Sequence, residues 1–319
     1  LLYYSNMVKH DLTVKKLNYI NDDSFNINHL KLMIKGDHIN FIIMNALRRI
    51  TMDDIPSYAI SLIDIKENTS VYNNDYMRNR IENFPLVGIN LPLNLEEYSK
   101  LNDDNLEDEN DNDIEFAIHC NKINDSNSII AVTSDDLDFY KSNEKIKSIY
   151  KKPILIIKLK EGEKFEFSAK MNKGLGLQHA KYSVAHTYYE MINDNEFNLT
   201  IESRDIMSIN IIVDNSIKIL LYRLNLIKNK IDKTTFPSTN SGQIVINKED
   251  HTMGNLLTKG LQDNKNIKFA GYKMEHLLIR NVIITYVLDN STITDVINSV
   301  IDNYINLFTE LNKKIQVLI

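Results

Sequence analysis

A chain of 319 residues, 43% hydrophobic and 25% charged, can bury a sizeable core and has room for two or three domains. Its formal net charge of −6 argues against a protein that grips phosphates directly, which takes a basic excess. One cysteine, Cys120, excludes an intrachain disulfide or a thiolate cluster for zinc or iron–sulfur, and no apolar run approaches the roughly 18 residues of a membrane span.

The opening LLYYSN is too short and uncharged for a signal peptide, and Met7 is expected to be the natural start. Residues 11–35 are expected to form strands, in which Leu17, Tyr19, Phe25, Ile27, Leu30, Leu32 and Ile34 alternate with polar positions. A helix follows from about Asn40 to Met52, with Ile43, Leu47 and Ile50 on one face and Arg48 and Arg49 off it; Pro56 ends it. Over 53–182, short apolar runs (58–65, 114–118, 129–132, 153–159, 165–169) alternate with polar loops, which predicts a separate, mostly β insert. Within it, 102–113 holds seven carboxylates and no basic residue, the composition of a solvated loop.

Residues 183–191 and 197–202 read as two strands. Ile209–Val213 reads as a third apolar run, leading into a helix over 214–231 with Ile217, Leu220, Leu224, Ile227 and Ile231 as its stripe. Residues 232–242, DKTTFPSTNSG, have a linker's composition. A strand (243–246), a helix (251–263), two strands (267–273 and 280–287) and a long helix (292–316) complete the chain. In the last, Ile293, Ile297, Val300, Tyr304, Phe308, Leu311 and Ile315 recur at helical spacing. Such a helix is roughly 35 Å long and calls for a helical partner, for which 214–231 stands in the corresponding place.

That correspondence extends further. Residues 39–60 and 249–274 echo each other 210 positions apart: Asn45 and Asn255, the apolar pairs Ala46-Leu47 and Leu256-Leu257, a short amphipathic helix, a polar break, and a strand reading Ile-x-x-Tyr-Ala in one and Ile-x-Phe-Ala in the other. Two divergent copies of one unit, each with an apolar helix face to cover, predict that one packs on the other.

Four motifs invite chemical readings. Asp250-His251-Thr252 pairs a base with a hydroxyl but shows no second acid, and a helix cap suits it better. Lys170-x-x-Lys173-Gly174-Leu175-Gly176-x-x-His179-Ala180-Lys181 has the residue types of a phosphate cradle without the spacing of one; a structured loop that docks on another protein fits better. Arg48-Arg49 is either an exposed charge pair or a carboxylate-binding interface element, and the residues alone leave both open. His119-Cys120 has no second ligand pair, so no metal is expected there.

Asn45-Ala46-Leu47-Arg48-Arg49-Ile50 followed by Ile55-Pro56-x-Tyr58-Ala59-Ile60 resembles the signature of the α-type subunits of RNA polymerase, a set that includes bacterial α, its archaeal D-type counterpart and the third-largest subunit of eukaryotic RNA polymerase II. Asp75-Tyr76-Met77-x-x-Arg80-Ile81-x-x-Phe84-Pro85-Leu86, Val132-Thr133-Ser134-Asp135-Asp136-Leu137 and Lys173-Gly174-Leu175-Gly176-x-x-His179-Ala180-Lys181-Tyr182 are similar to three further segments of those proteins. Ile246–Leu257 and Phe269-Ala270-Gly271-Tyr272-Lys273 resemble the smaller archaeal L-type family and the eleventh subunit of RNA polymerase II. Those two families pair as a heterodimer equivalent to the bacterial α dimer; here they are joined in one chain. Two departures stand out. The four-cysteine site of many relatives is impossible with Cys120 alone, and the usual H-P-[LI] reads His276-Leu277-Leu278.

The resemblance implies an α+β protein with two dimerisation domains, 7–52 with 183–231 and 243–319, joined by the 232–242 linker and forming an intrachain pseudo-dimer around the β-rich insert 53–182. It implies a non-catalytic platform for assembling a multisubunit DNA-directed RNA polymerase, without cofactor, metal or membrane association, and in touch with DNA only through the complex. The partners implied are the second-largest and largest subunits and small polymerase subunits. Asn45, Arg48, Arg49, Lys173, Gly174, Gly176, His179 and Lys181 would face partners, and Leu47, Ile50, Leu220, Leu224, Asn255, Leu256, Ile297, Val300, Tyr304 and Phe308 would join the halves. Fusion, together with a heavy use of Asn, Ile and Lys of the kind AT-rich coding gives, points to a large DNA virus, and so to a viral factory, cytoplasm or virion, with the nucleus as the alternative. A nucleic-acid-binding factor using lysines of 141–160, or an enzyme using His251, would leave the paired signatures unexplained.

Overall fold

The computed structural model describes residues 11–22, 27–87, 92–102, 116–142, 144–147, 149–150, 152–234, 236, 240–276, 279–289 and 291–319. The expected acidic loop after Asn102, Phe25 and the Leu277-Leu278 departure lie outside them. The fold is α+β, and the chain divides into two compact units. One contains the chain up to Ile55, Ala185–Ser203 and Ser208–Ile319; the other contains Pro56–Val184 and Arg204–Met207.

The first unit opens with strands β1 (Leu12–Asp22) and β2 (Ile27–Gly36) and helix α1 (Phe41–Asp53). Asn40 starts α1 by accepting from Ile42 N and Ile43 N at 3.0 and 3.1 Å. The second unit follows as β3 (Ser57–Asn68), α2 (Asn74–Glu82), α3 (Leu95–Leu101), β4 (Phe116–Ile123), β5 (Ile130–Thr133), β6 (Asp138–Lys141), β7 (Glu144–Ile146), β8 (Leu155–Leu159) and β9 (Lys164–Gly174). The first unit resumes with β10 (Ala185–Asn193), β11 (Glu196–Ser203) and α4 (Ile209–Asp232). It ends with β12 (Ser241–Asn247), α5 (His251–Gln262), β13 (Ile267–His276), β14 (Ile279–Leu288) and α6 (Ile293–Gln316).

Within the first unit the two halves share one topology. The sheet β1-β2-β11-β10 and the sheet β12-β14-β13 place the strand before the short helix beside the strand before the long helix. Each sheet buries one face: Leu30, Leu32, Ile34, Phe197, Leu199 and Ile201 in one, Ile244, Ile246, Val282, Ile284 and Tyr286 in the other. Period-two alternation of apolar residues accounts for both faces. Every buried position of α6, from Ile293 to Ile315, has a buried counterpart 84 residues earlier in α4. α5 and α6 approach closely because position 260 is glycine; a Cβ there would lie 2.3 Å from Val300 Cγ1.

Three details differ from the sequence reading. The helix expected over 214–231 starts earlier, the apolar run Ile209–Val213 being the first turn of α4: Ile209, Ile212, Val213, Ser216 and Ile217 are buried at helical spacing, and this tertiary burial overrides β-branched propensity. Leu17 and Tyr19 are exposed: Leu17 is the extra residue of a bulge between Lys16 and Asn18, and β1 is the edge strand of its sheet. Of the expected linker, Asp232 closes α4 and Ser241-Gly242 open β12.

The second unit is mostly β, with sheets β3-β9-β4-β6-β7 and β5-β8 around a core that includes Ile118, Phe139, Phe165 and Phe167. It also carries α2 and α3, which the sequence reading does not separate from loops. Asn73 and Asn94 cap them by accepting from backbone amides of the first turn. Cys120 is buried in this core, and burial, the largest effect, pushes its thiol up to about 12, which makes it inert as a nucleophile.

Candidate functional site

The long helices α4 and α6 run antiparallel and pack on each other, as do α1 and α5. Leu220 and Leu224 on α4, and Ile297, Val300, Tyr304 and Phe308 on α6, are buried, as are Leu47, Ile50 and Leu256. Polar bonds fix the register along the flanks of the long pair. Lys228 pairs with Asp302, Asn298 Nδ2 donates to Asp232 Oδ1 at 2.6 Å, and Asn312 Nδ2 donates to Asp214 Oδ1 at 3.0 Å. Tyr304 donates its hydroxyl to Leu256 O at 3.0 Å, tying α6 to α5. Asn255 is half-buried on α5.

At the centre of this junction lies a cluster of buried charges. Arg223 interrupts the apolar stripe of α4 and is 2% exposed. Its Nη1 donates to Asp54 Oδ2 at 2.6 Å, where Asp54 caps the C-terminus of α1. Its Nε donates to Glu249 Oε2 at 3.1 Å, Nη2 also donates to Glu249, and Nη2 reaches Asp250 Oδ1 at 3.2 Å. Asp250 accepts from Thr252 N at 2.8 Å and so starts α5. Arg49 Nη2 reaches the other Asp250 oxygen at 3.3 Å. Two guanidiniums from the first half thus meet two carboxylates of the second, with Asp54 alongside.

Burial is the largest influence on Asp54 and raises its carboxyl to about 6 against the pull of Arg223. At Asp250 burial also works upward, but the Arg223 and Arg49 charges and the Thr252 amide outweigh it and hold the group at about 2. The two therefore bias stability in opposite directions. The folded state keeps a proton on Asp54 that the unfolded chain has released, so that contribution is full below about pH 4 and is lost as pH rises through about 6. The Asp250 contribution is present above about pH 4 and is lost as pH falls toward 2. Asp54→Asn is expected to flatten the fall in urea midpoint between pH 4 and 6; an unchanged slope would show that Asp54 does not titrate there.

The second unit gathers the other signature segments. β3 and β9 pair so that Ser57 faces Gly174 and Tyr58 faces Lys173, bringing two motifs 115 positions apart into one ladder. Gly174 lies against the Tyr182 ring, which a Cβ would approach to 2.5 Å. Lys173 Nζ sits 2.6 Å from Glu97 Oε1 and 5.3 Å from the Tyr58 ring centre, and Lys181 pairs with Glu82. His179 Nδ1 accepts from Lys181 N at 3.1 Å, and Gly176 is half-exposed beside it. Arg80 on α2 donates to the carbonyls of Ile156 and Leu155 at 2.9 and 2.8 Å, and Ser134 Oγ accepts from Ile154 N at 3.0 Å. The loop is held by its own unit's carboxylates and carbonyls rather than open as a phosphate cradle. Among the described residues no group of three or more His, Cys, Asp or Glu is placed to hold a metal ion, and no helix is long and apolar enough to cross a membrane.

Two family profiles, both describing the RNA polymerase Rpb3/Rpb11 dimerisation domain, match the chain, one over residues 37–224 and one over 241–314. The chain belongs to this family. Two Rpb3/Rpb11 dimerisation domains are joined in one polypeptide, in the order the internal echo implies. It is 26% identical over 320 residues to a protein of Acanthamoeba polyphaga mimivirus provisionally named a DNA-directed RNA polymerase subunit, covering 88% of this chain and 89% of that one. It is 31% identical to subunit 3 of the Arabidopsis thaliana DNA-directed RNA polymerases II, IV and V over 45% of this chain and 47% of that one. For the Rpo3 subunit of the Pyrococcus furiosus polymerase the identity is 26%, over 50% and 54%. The chain spans about half the length of the plant and archaeal relatives, whereas the viral relative matches nearly end to end.

Of the residues expected to face partners in this Rpb3/Rpb11 chain, Asn45, Arg48 and Arg49 lie in the first unit and Lys173, Gly174, Gly176, His179 and Lys181 in the second. Arg49, Lys173 and Lys181 have carboxylate partners within the chain. Arg48 donates to Asn45 Oδ1 at 3.1 Å and contacts the Met52 sulfur, without an ion pair among the described residues. Sequence reasoning misses Arg223, Asp54 and Glu249. The available signal is Arg223 itself, a charge set at helical spacing between Leu220 and Ile227.

Proposed function

We propose that this chain is a non-catalytic assembly platform of a multisubunit DNA-directed RNA polymerase. Its dimerisation domains, 7–52 with 183–231 and 243–319, pair within one chain and present a rigid surface on which the second-largest and largest subunits dock, with small polymerase subunits nearby. DNA is reached only through the complex. The observation that carries this reading is the junction itself. α4 with α6 and α1 with α5 use up the apolar helix faces inside one molecule, so the chain needs no second copy to complete its core. Fusion makes that pairing intramolecular, with an effective concentration on the order of millimolar for a short linker. The viral relative of matching extent supports a viral polymerase, working in a viral factory or packaged in the virion.

Arg48 is the best candidate for docking, since it is half-exposed and free of ion pairs among the described residues. A guanidinium in that state suits a carboxylate or carbonyl of a partner. Tagged wild-type chain drawn from its native source should retain two very large polymerase subunits in stoichiometric amounts. Arg48→Glu should leave the isolated chain folded with an unchanged urea midpoint while capture of a large subunit falls at least tenfold, about 1.4 kcal/mol or more. Normal capture by Arg48→Glu would move the docking surface elsewhere; a clean monomer from the wild-type pull-down would sink the platform reading.

A further inference from the structure

The two halves of the first unit are alike in topology but not in charge, and the difference is concentrated where they meet. Equivalent residues on the long helices are 84 apart, and bonded pairs across those helices are 98 residues apart at Asp214–Asn312 and 74 apart at Lys228–Asp302. A separation of 84 falls between them, near residue 222 on α4 and 306 on α6. The pseudo-twofold axis therefore passes beside Arg223 and its equivalent, Leu307, both buried. On the short helices, 210 apart, Glu249 and Asp250 correspond to Ile39 and Asn40, and Asp54 corresponds to Asn264. Ile39 is 2% exposed, and Asn40 does the same capping work as Asp250 without a charge. Even Arg49, which reaches across to Asp250, has as its equivalent Lys259, which pairs locally with Asp263 at 2.7 Å.

From this asymmetry we infer that Arg223 and Asp54 in the first half, with Glu249 and Asp250 in the second, form a pairing code that admits unlike halves and rejects like ones. Two first halves brought together about the same axis would place two buried Arg223 guanidiniums side by side, each keeping only Asp54 of its own half and facing Ile39 and Asn40 where Glu249 and Asp250 should be. Two second halves would set Glu249 and Asp250 against Leu307, leaving both carboxylates without the Arg223 guanidinium that bonds them. Either pairing forfeits the bonds from Arg223 to Glu249 and Asp250 and buries charge without them, whereas the unlike pairing makes them. The apolar stripes carry little such discrimination, since every buried position of α6 is matched on α4, which buries only Asn215 and Ile219 in addition. The code therefore directs the halves to each other while chains are crowded and incompletely folded, when swapped pairing between copies competes with pairing in cis.

The test uses the full chain in two variants. One carries Asp54→Asn with Arg223→Leu, the other Glu249→Ile with Asp250→Asn, each taking the residues found at its equivalent positions. Within either chain the halves are mismatched. Exchanged between the two, one junction is charged with charged and the other neutral with neutral. Unfolded in urea, mixed one to one and refolded, the two variants should yield a mixed two-chain species by native mass spectrometry, several-fold more than two tagged wild-type chains treated alike. That readout holds whether or not either variant folds alone. The four-site chain, matched again in cis, should have a urea midpoint closer to wild type than the two pairwise losses added together predict. The inference is overturned if the mixture forms no more two-chain species than wild type, or if the losses simply add.

Discussion

Arg223→Leu is expected to lower the unfolding free energy of the first unit by about 3–5 kcal/mol, the cost of breaking a buried ion pair from one side. Little of that loss is the intrinsic worth of the bridges. Arg223, 2% exposed, is the shared partner of Asp54, Glu249 and Asp250, with side-chain exposures of 6%, 7% and 15%. Removing the cation leaves three carboxylates in a poorly solvated space without their shared partner, while Arg49, at 3.3 Å, reaches Asp250 alone among its bonded carboxylates. They must then take up protons or admit water, and either costs folding energy. Amide exchange at α4 and α5 reads this unit directly, which matters in a chain of two units without tryptophan. Protection within 1 kcal/mol of wild type would mean that the carboxylates find another cation.

This cluster also marks where reading the sequence stops. α6 is legible because ten buried positions recur over 24 residues, and no strand period fits them. α4 is legible from Asp214 onward. Its first turn, Ile209-Asn210-Ile211-Ile212-Val213, is rich in β-branched residues, and only packing decides in favour of helix. α2 and α3 are nine and seven residues long, about two turns each, too short for a period to rise above the polar sequence around them.

Partnership is harder to read than position. Lys173, Lys181 and Arg49 stand out by type and spacing, yet their partners Glu97, Glu82 and Asp250 lie 76, 99 and 201 positions away. Arg223 is the least legible of all, because a lone arginine in an apolar stripe is usually explained by an aliphatic stem that lets its head reach water. Its meaning needs Asp54, 169 positions back, and Glu249, 26 positions on. By contrast, the echo between Asn45 and Asn255 is legible at once, since a repeated unit preserves its spacing even where its charges diverge.

Ile297→Asp is expected to unfold the first unit outright under native conditions. Ile297 is fully buried on α6, and its equivalent on α4, Val213, is buried too. Losing the side chain's burial costs roughly 2–3 kcal/mol. The carboxylate then adds several more, since the nearby Lys228 is already held by Asp302 and the neighbouring Asp232 on α4 is itself acidic. A total of this size is comparable to the whole stability of an ordinary domain. Ile297→Val, which removes one methylene in place, should cost only about 0.5–1.5 kcal/mol and leave the fold intact. The contrast between the two variants separates charge from volume at the α4–α6 contact. Far-UV circular dichroism and amide exchange should show a native Ile297→Val chain and, in Ile297→Asp, exchange-labile α4 and α6. If Ile297→Asp kept protected α4 amides, the long helices would not be what joins the halves, and the burden would fall on α1, α5 and the Arg223 cluster between them.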